Sequence, residues 1–486
     1  MESCIFSFYF SEERITAEEL PREYRFGKYT LQTDSRTPFV SACGEDRECA
    51  VFGLAVHVVS GRWEGLPEDM LHSTASLEDL IAYEAKLGGK YLILYREGEQ
   101  YFLLGDATTS IPIFYNTSRP FACSSNSQYL VKQYGYSPDP ELQKIRDSGE
   151  ISQAMPYDVT RYREIKQLLP NHYLFVNAQS ARRFVNADKP QRVLPAEEAA
   201  RITAPMIDAI GRFYQSRFSV YCPITSGRDS RVVLAFLAQR EAVPCYTIRH
   251  PEHHGEEQDL VIPKQLCEKC QVPYTQIQDV MVSEELKGSM DRLLGESQYS
   301  QRTLRIARTI QTYYGSGAVV NGDIIGQVGK CSLHRDIPLR FATPGYFRCK
   351  LHNYSSGAKT ELGNWLEEIK ASGECVNAFD LFSIENRMAR WAGQENLIYN
   401  SIGQLYINMF NSRSILYTWT AVDRKERKGS AIHISLIRQK KPELLAVPFE
   451  SDENIVIRLS KANGLAYLLS SYAKYYLSKM RYRKGT

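Results

Sequence analysis

Residues 221–238 read YCPITSGRDSRVVLAFLA, and this stretch decides how the second half of the chain folds. A short apolar run leads into a cluster of small and charged residues, Thr225 to Ser230, and a second apolar run follows. This order predicts a strand, a tight turn and a helix. A strand that passes directly into a helix presents backbone N–H groups and the positive end of the helix dipole at the carboxyl edge of a sheet. The stretch therefore predicts an anion site.

The side chains of this turn suit a phosphate group. Thr225, Ser226 and Gly227 let the backbone come close to a phosphate, Ser230 can donate its hydroxyl hydrogen, and Asp229 can hold a magnesium ion. The turn is not a Walker A loop, because no Gly-Lys-Thr follows it. The alternative interpretation is a polar turn whose side chains only cap the helix.

Helical and strand patterns alternate around the turn. Apolar residues recur near every third or fourth position over residues 195–214, and residues 244–248 (PCYTI) have the pattern of another strand. Strands that alternate with helices in this way predict a parallel, doubly wound sheet.

The first half of the chain is rich in strand patterns instead. Residues 50–59, 90–95 and 101–105 are short apolar runs bounded by Gly, Asp and Ser. The polar stretch 186–195 (NADKPQRVLP) has the composition of a linker. We therefore expect two domains, residues 1–190 with packed sheets and residues 195–486 with α/β structure and a helical C-terminal part.

Composition limits the classes of function. Lys and Arg total 59 against 56 for Asp and Glu, and a net charge of +3 gives no overall field that would favour nucleic acid. The 11 cysteines form no regular framework and are interpreted as thiols in a reducing compartment. With no signal-peptide pattern and no membrane-spanning run, we expect a cytoplasmic protein. The tail 475–484 (YYLSKMRYRK) mixes aromatic and basic residues, as interfacial helices do, although solvated helix ends have the same composition.

Several stretches resemble the asparagine synthetase family, in that family's order along the chain. ITSGRDSR resembles the Ser-Gly-Gly-x-Asp-Ser pyrophosphate loop of ATP pyrophosphatases; Gly227, Asp229 and Ser230 match, and Thr225 and Ser226 stand where Ser and Gly are usual. The other similar stretches are LLGDATTSIPIFY (103–115), FACSSNSQYL (121–130), EIKQLLPNHYLFV (164–176), YTIRHPEHHGEEQD (246–259) and INMFNSRSILY (407–417).

The resemblance implies a fold and a reaction. The fold is an α+β N-terminal domain with an amidotransferase-type β sandwich, followed by an α/β doubly wound domain that binds an adenine nucleotide. The reaction uses ATP and Mg²⁺: a substrate carboxylate attacks the α-phosphate, pyrophosphate leaves, and an amine displaces AMP to form an amide. The carboxylate would belong to a small molecule, a peptide or a sugar acid, and a homodimer is one arrangement that the resemblance allows.

The resemblance also implies roles for particular residues. Asp229 and Asp323 would hold the metal and, with Arg228 and Lys428, would serve catalysis. Arg228 and Arg231 would add charge near the pyrophosphate; the alternative is that both lie in solvent, as arginines in the first turn of a helix more often do. The nucleotide would lie against Thr225, Ser226, Gly227, Asp229, Ser230, Ile248 and Gly322. On this hypothesis, Asp229→Ala abolishes pyrophosphate release and barely changes the melting temperature.

The sequence departs from the family at the glutaminase site. Active glutaminase domains carry cysteine as the first residue, whereas Glu2 and Ser3 precede Cys4 here, and residues 53–58 (GLAVHV) replace the glutamine-binding Asn-Gly-Glu segment. We therefore expect no glutamine hydrolysis. The amine would come from ammonia, from a second substrate or, as in the related β-lactam synthetases and lasso-peptide cyclases, from within the same substrate.

A second departure concerns the metal. The family's Gly-Glu-Gly-Ala-Asp-Glu loop is represented by residues 319–330 (VVNGDIIGQVGK), where Gly326 falls on the Asp and Gln327 on the final Glu, which leaves Asp323 as the nearby acid. The usual C-terminal lysine is not evident, and Lys428, Lys440 and Lys441 are candidates for it. A catalytically inactive relative that acts as a binding or scaffold subunit is therefore the alternative hypothesis.

Two further patterns have ordinary explanations. Cys267 and Cys270, with His253 and His254, are residue types that bind zinc, but two thiols three positions apart on a helix also occur by chance. Tyr472, Tyr475 and Tyr476 recur at helical spacing, which favours a packing face over a stacking platform.

Overall fold

The structure is a computed structural model that describes residues 5–118, 120–147, 155–185, 190, 192–239, 242–249, 257–294, 299–374, 376–449 and 463–485. The described part contains three sheets. Two of them are antiparallel and belong to the first half of the chain, and the third is parallel and belongs to the second half. The predicted order of a β-rich part before an α/β part is therefore confirmed at this coarse level.

The two antiparallel sheets have six strands each, in the orders β10-β8-β9-β1-β3-β2 and β12-β11-β7-β6-β5-β4. The first sheet contains β1 (Phe8–Ser11), β2 (Arg22–Phe26), β3 (Tyr29–Thr33), β8 (Phe114–Asn116), β9 (Ala122–Ser124) and β10 (Ile165–Gln167). The second contains β4 (Phe39–Cys43), β5 (Arg47–His57), β6 (Leu87–Glu97), β7 (Gln100–Gly105), β11 (His172–Phe175) and β12 (Ser180–Arg183). Their helices are α1 (Leu66–Ser73), α2 (Leu77–Glu84), α3 (Ser127–Tyr134) and α4 (Pro140–Asp147).

Strand β5 is almost continuously apolar because both of its faces are buried. Phe52 and Leu54 belong to the large hydrophobic cluster that also contains Phe8 of β1. Val51, whose side chain points to the opposite face, packs in a second cluster with Met70 of α1. The strand patterns at residues 50–59, 90–95 and 101–105 are confirmed as β5, β6 and β7.

The parallel sheet has the strand order β15-β14-β13-β16-β17. Its strands are β13 (Val220–Pro223), β14 (Cys245–Arg249), β15 (Tyr274–Gln278), β16 (Gly317–Val320) and β17 (Gln404–Ile407). The chain builds outward from β13 through β14 to β15 and then returns to place β16 on the other side of β13. The gap between the carboxyl ends of β13 and β16 is therefore the topological switch point, where open α/β sheets bind ligands.

Helices connect and cover these strands. In chain order they are α5 (Ala196–Gln215), α6 (Arg228–Leu237), α7 (Glu257–Cys270), α8 (Glu284–Leu294), α9 (Gln301–Tyr314), α10 (Pro344–Leu351), α11 (Ala358–Ala371), α12 (Ala378–Leu381), α13 (Gly393–Ser401), α14 (Arg413–Thr420), α15 (Arg424–Lys428), α16 (Ala431–Lys440) and α17 (Gly464–Gly485). Two segments are π-helical, Ile325–Gly329 and Phe382–Ala392. Among the described residues, no helix has the length and apolar character that a membrane crossing requires.

Buried ion pairs join the two halves of the chain. Arg413 on α14 donates to the carboxylate of Glu84 on α2, with Nε 2.7 Å from Oε2. Arg183 on β12 donates from both terminal nitrogens to Glu385, at 2.7 Å each. Half of the predicted linker, residues 186–189 and 191, lies outside the described residues, and the domain boundaries stay a prediction.

Candidate functional site

The turn between β13 and α6 leaves the N-terminus of the helix without a capping side chain. Helix α6 begins at Arg228, and its N-cap residue is Gly227, which has no side chain to offer. Thr225 N donates to Ser230 Oγ at 3.1 Å, and Gly227 N donates to Thr225 Oγ1 at 3.2 Å. Asp229 and Ser230 follow the N-cap residue and lie in the first turn, and neither caps the helix. Whether the turn binds an anion or serves only the fold stays a prediction. The backbone N–H groups of that turn point toward the switch point.

Asp229 faces a buried histidine. Its Oδ1 lies 2.8 Å from Nε2 of His433, which is fully buried on α16. Burial opposes the charged form of Asp229, but the hydrogen bond from His433 and the nearby charges of Lys330 and Arg228 outweigh it and lower the pKa of the carboxyl. The side chain remains 41% exposed. Asp229 is therefore an ionised carboxylate that His433 holds in place and that is still accessible to solvent.

Two glycines bring the loop after β16 directly against Asp229. A Cβ atom at Gly326 would lie 2.5 Å from Asp229 Oδ2, and one at Gly322 would lie 3.1 Å from the Asp229 backbone carbonyl. The position at which the resembled family carries its second metal carboxylate is thus filled by bare backbone. A larger residue at Gly326 cannot coexist with Asp229 in its present place.

We expect Gly326→Ala to weaken binding of MgATP about tenfold, because the new methyl group must push the Asp229 carboxylate off its hydrogen bond with His433. The displaced atom is the end of a side chain, so we expect little change in melting temperature. Isothermal titration and thermal melting measure the two effects. Gly357→Ala is the control, because a Cβ there meets no atom within 4 Å. Unchanged MgATP affinity would contradict the prediction.

A group of acidic and aromatic side chains adjoins Asp229. Asp323, after β16, accepts a hydrogen bond from the Tyr406 hydroxyl at 2.7 Å. Tyr406 stacks on Tyr399 at 4.3 Å, and Glu395 lies one helical turn before Tyr399 and accepts from Thr303 Oγ1 at 3.2 Å. Burial and the charge of Asp229 raise the pKa of Asp323 to about 6. Burial and the charge of Asp323 raise the pKa of Glu395 to about 8.

These raised pKa values make the folded state less stable at high pH. Between the usual pKa of Glu395, 4.5, and its folded value of about 8, the folded protein holds a proton that the unfolded chain has lost. The stabilisation that protonated Glu395 contributes is therefore fully present below the usual pKa of 4.5, and it is lost as the pH rises through about 8. We expect Glu395→Gln to melt higher than the wild type at alkaline pH, with the gap closing toward acid pH. Thermal melts across the pH range measure this, and Glu367→Gln, at an exposed position, is the control. Parallel curves for the Glu395→Gln variant and the wild type would rule out a raised pKa.

Three other residues predicted to belong to the site, Arg228, Ile248 and Lys428, lie in different parts of the fold. The Arg228 guanidinium lies over the Phe449 ring at 4.6 Å. Ile248 lies near the carboxyl end of β14, the strand beside β13. Lys428 forms an ion pair with Asp336 at 3.0 Å. The proposed roles of Ile248 and Lys428 in the site stay predictions.

Arg231 does not supply charge at the front of the site. Its guanidinium is fully buried and donates to backbone carbonyl groups, those of Leu444, Val447 and Pro448 at 2.7–3.0 Å and that of Ser226 at 3.3 Å. Burial, together with the charge of Arg228, lowers the pKa of Arg231 to about 10. Arg231 therefore joins the segment after α16 to the turn. The expectation that its charge lies beside the pyrophosphate is corrected, because the guanidinium is buried against backbone carbonyl groups.

Several residues of this site could not be found from local sequence patterns. His433 lies in an apolar helical stretch and has the pattern of a core residue. Arg387 is close enough to Asp323 for its positive charge to lower the pKa of that carboxyl. Glu395 and Arg387 belong to consecutive helical segments, where charged residues ordinarily face solvent. Lys330 could have been found from the sequence, because it is the last residue of the stretch 319–330, which resembles a loop of the family's metal site.

The other cysteine and histidine predictions have separate outcomes. Cys267 and Cys270 are buried on α7. Over the part of the chain that the structure describes, no three His, Cys, Asp or Glu side chains are placed to hold a metal ion. His253, His254 and Cys4 lie outside the described residues.

Comparisons with known proteins give only distant likenesses. No family model matches the chain, and no curated protein matches it. A solved glutamine phosphoribosylpyrophosphate amidotransferase from B. subtilis, complexed with ADP and GMP, matches with a TM-score of 0.22 and 12% identity over 64% of this chain and 64% of its own. An NMN synthetase from Francisella tularensis matches with a TM-score of 0.19 and 16% identity over 38% of this chain and 77% of its own. TM-scores this low do not establish a shared fold, so membership of the asparagine synthetase family stays a prediction.

Proposed function

We propose that the protein is an ATP-dependent, amide-forming ligase that activates a carboxylate as its adenylate and has no glutaminase activity. The observation that carries the proposal is the meeting of two glycine-containing loops at the switch point, around the ionised carboxylate of Asp229. The order of resembling stretches along the sequence supports the same class of reaction.

The residues at the switch point fit the phosphates of ATP. The uncapped first turn of α6 supplies N–H donors, and Thr225 and Ser230 supply hydroxyl groups. Magnesium usually binds one or two protein carboxylates and takes its other ligands from phosphates and water. Asp229 and Asp323 would hold it on that basis, and the ion would neutralise the departing pyrophosphate. Lys330 adds positive charge close to Asp229.

The proposed reaction has two displacements. A carboxylate oxygen of the acceptor bonds to the α-phosphorus of ATP, and the bond from that phosphorus to the bridging oxygen breaks, so that pyrophosphate leaves with the electron pair. An amine nitrogen then bonds to the acyl carbon, AMP leaves with its oxygen, and the nitrogen loses a proton. Ammonia or an amine of the substrate is the proposed nucleophile.

Isothermal titration with MgATP tests the first requirement of this proposal. We expect saturable binding that needs magnesium, followed by pyrophosphate release when the correct carboxylate is present. Panels of small acids, peptides and sugar acids, each with and without ammonium, would identify the acceptor. A protein that binds no MgATP is not a ligase of this class.

A second candidate function is a nucleotide-free binding subunit. The observation that favours it is the pairing of Asp229 with His433 together with the bare backbone at Gly326, which leaves few acidic ligands for a metal. The same titration separates the two candidates, because a binding subunit would give neither heat nor a thermal shift with MgATP.

A further inference from the structure

Helix α17 has one face that packs on the protein. Leu468, Ser471 and Tyr475 are buried. The Tyr475 hydroxyl donates to the Asn353 carbonyl at 3.4 Å, and its ring lies 5.3 Å from that of Tyr354. These contacts tie the helix to α10 and the residues that follow it.

The opposite face of α17 is apolar and exposed. Leu465, Leu469, Tyr476, Leu477 and Met480 are 43%, 69%, 56%, 54% and 54% exposed, respectively. They account for five of the twelve exposed large apolar side chains among the described residues. Four of them recur at intervals of four, seven and four positions, which places them along one stripe of the helix. Single exposed apolar residues are ordinary, but a continuous stripe marks an interaction surface.

The sequence of this helix carries charge of one sign. It contains Lys474, Lys479, Arg481, Arg483 and Lys484, and it contains no Asp or Glu. A partner for this face must therefore combine an apolar layer with negative charge.

An anionic lipid surface has that combination. Apolar side chains of an amphipathic helix enter the boundary between headgroups and acyl chains, basic residues meet the lipid phosphates, and tyrosine favours the interface between them. A second copy of the chain fits less well, because apposed α17 helices would bring two sets of basic residues together with no acidic residue in either helix. We propose that the face of α17 formed by Leu465, Leu469, Tyr476, Leu477 and Met480 holds the protein on an anionic membrane surface. This inference does not depend on the proposed ligase activity.

Flotation of the full-length protein with vesicles tests the inference. We expect the protein to float with phosphatidylcholine vesicles that contain phosphatidylglycerol and not with phosphatidylcholine alone, and we expect added salt to weaken binding. The double variant Leu469→Gln with Leu477→Gln should lose about tenfold or more of its partitioning. The double variant Lys474→Gln with Lys479→Gln should lose binding in the same direction.

Two controls keep the test specific. Val193→Gln with Met281→Gln also removes two exposed apolar side chains, and it should bind vesicles as the wild type does. Thermal melts should be unchanged for the variants at Leu469, Leu477, Val193 and Met281, because those side chains are exposed. A melt of the Lys474→Gln, Lys479→Gln variant checks that it stays folded, since Lys479 is half-buried. Absence of flotation, or equal flotation with both kinds of vesicle, would overturn the inference. A dimer in light scattering that the Leu469→Gln, Leu477→Gln variant dissociates, without vesicle binding, would overturn it in favour of a second copy.

Discussion

Asp229→Asn is expected to lower pyrophosphate release on the order of 100-fold or more while the protein stays folded. The amide oxygen of asparagine can still accept the hydrogen bond from His433, so the buried imidazole keeps its partner. The negative charge is lost, and with it the carboxylate that would bind magnesium beside the phosphates. Binding of MgATP should weaken together with the reaction. Isothermal titration and a pyrophosphate assay on the same preparation measure both effects.

The choice of asparagine matters, because Asp229→Ala mixes two effects. Alanine leaves the buried His433 without its acceptor, which costs about 1–3 kcal/mol. The expectation from sequence, that Asp229→Ala barely changes the melting temperature, is revised accordingly. Asp69→Asn is a suitable control, since Asp69 pairs with Arg62 in the first half of the chain. MgATP affinity at the wild-type level in Asp229→Asn would remove Asp229 from the proposed site.

Arg413→Met is expected to destabilise the protein by about 3–5 kcal/mol. The Arg413 guanidinium is 2% exposed and donates to Glu84, and to Asn171 Oδ1 at 2.7 Å. Burial opposes the charge on Arg413, but the Glu84 carboxylate raises the pKa of the guanidinium above its usual value. Methionine would leave Glu84 charged and buried without a cation. The shift in urea midpoint, followed by circular dichroism, measures the loss.

A double variant separates the ion pair from simple loss of packing. Arg413→Met combined with Glu84→Leu removes both charges, and we expect it to recover a large part of the stability that the single variant loses. Lys370→Met, which breaks an exposed pair with Glu367, should change stability by less than about 1 kcal/mol. If Arg413→Met behaved like Lys370→Met, the pair would contribute nothing to the contact between the halves.

The sequence allowed the order of sheets and the main turn to be predicted, because both depend on local patterns. Alternation of strand and helix around residues 221–238 is a short-range signal, and it led correctly to β13, α6 and β14. Apolar runs such as residues 50–59 likewise have strand length and turn residues at their ends. Such signals do not depend on which element lies next to which.

The surroundings of the turn were not predictable, because they come from distant parts of the chain. His433 reaches Asp229 across a sequence separation of 204 residues. The apolar pattern around this histidine is the same as that of any core helix. Arg231 was misjudged for a related reason: an arginine in the first turn of a helix usually lies in solvent, and only the packing of residues 444–448 buries it. Propensity and spacing carry no information about these tertiary neighbours.

The contact between the halves has a consequence for how the two parts of the chain depend on each other. Glu84 and Arg183 from the first half neutralise Arg413 and Glu385 from the second, so neither half can be excised without stranding buried charge. Either half could therefore change its surface chemistry more easily than it could be lost. The first half acts as a structural support, because it supplies the charges that keep buried groups of the second half paired.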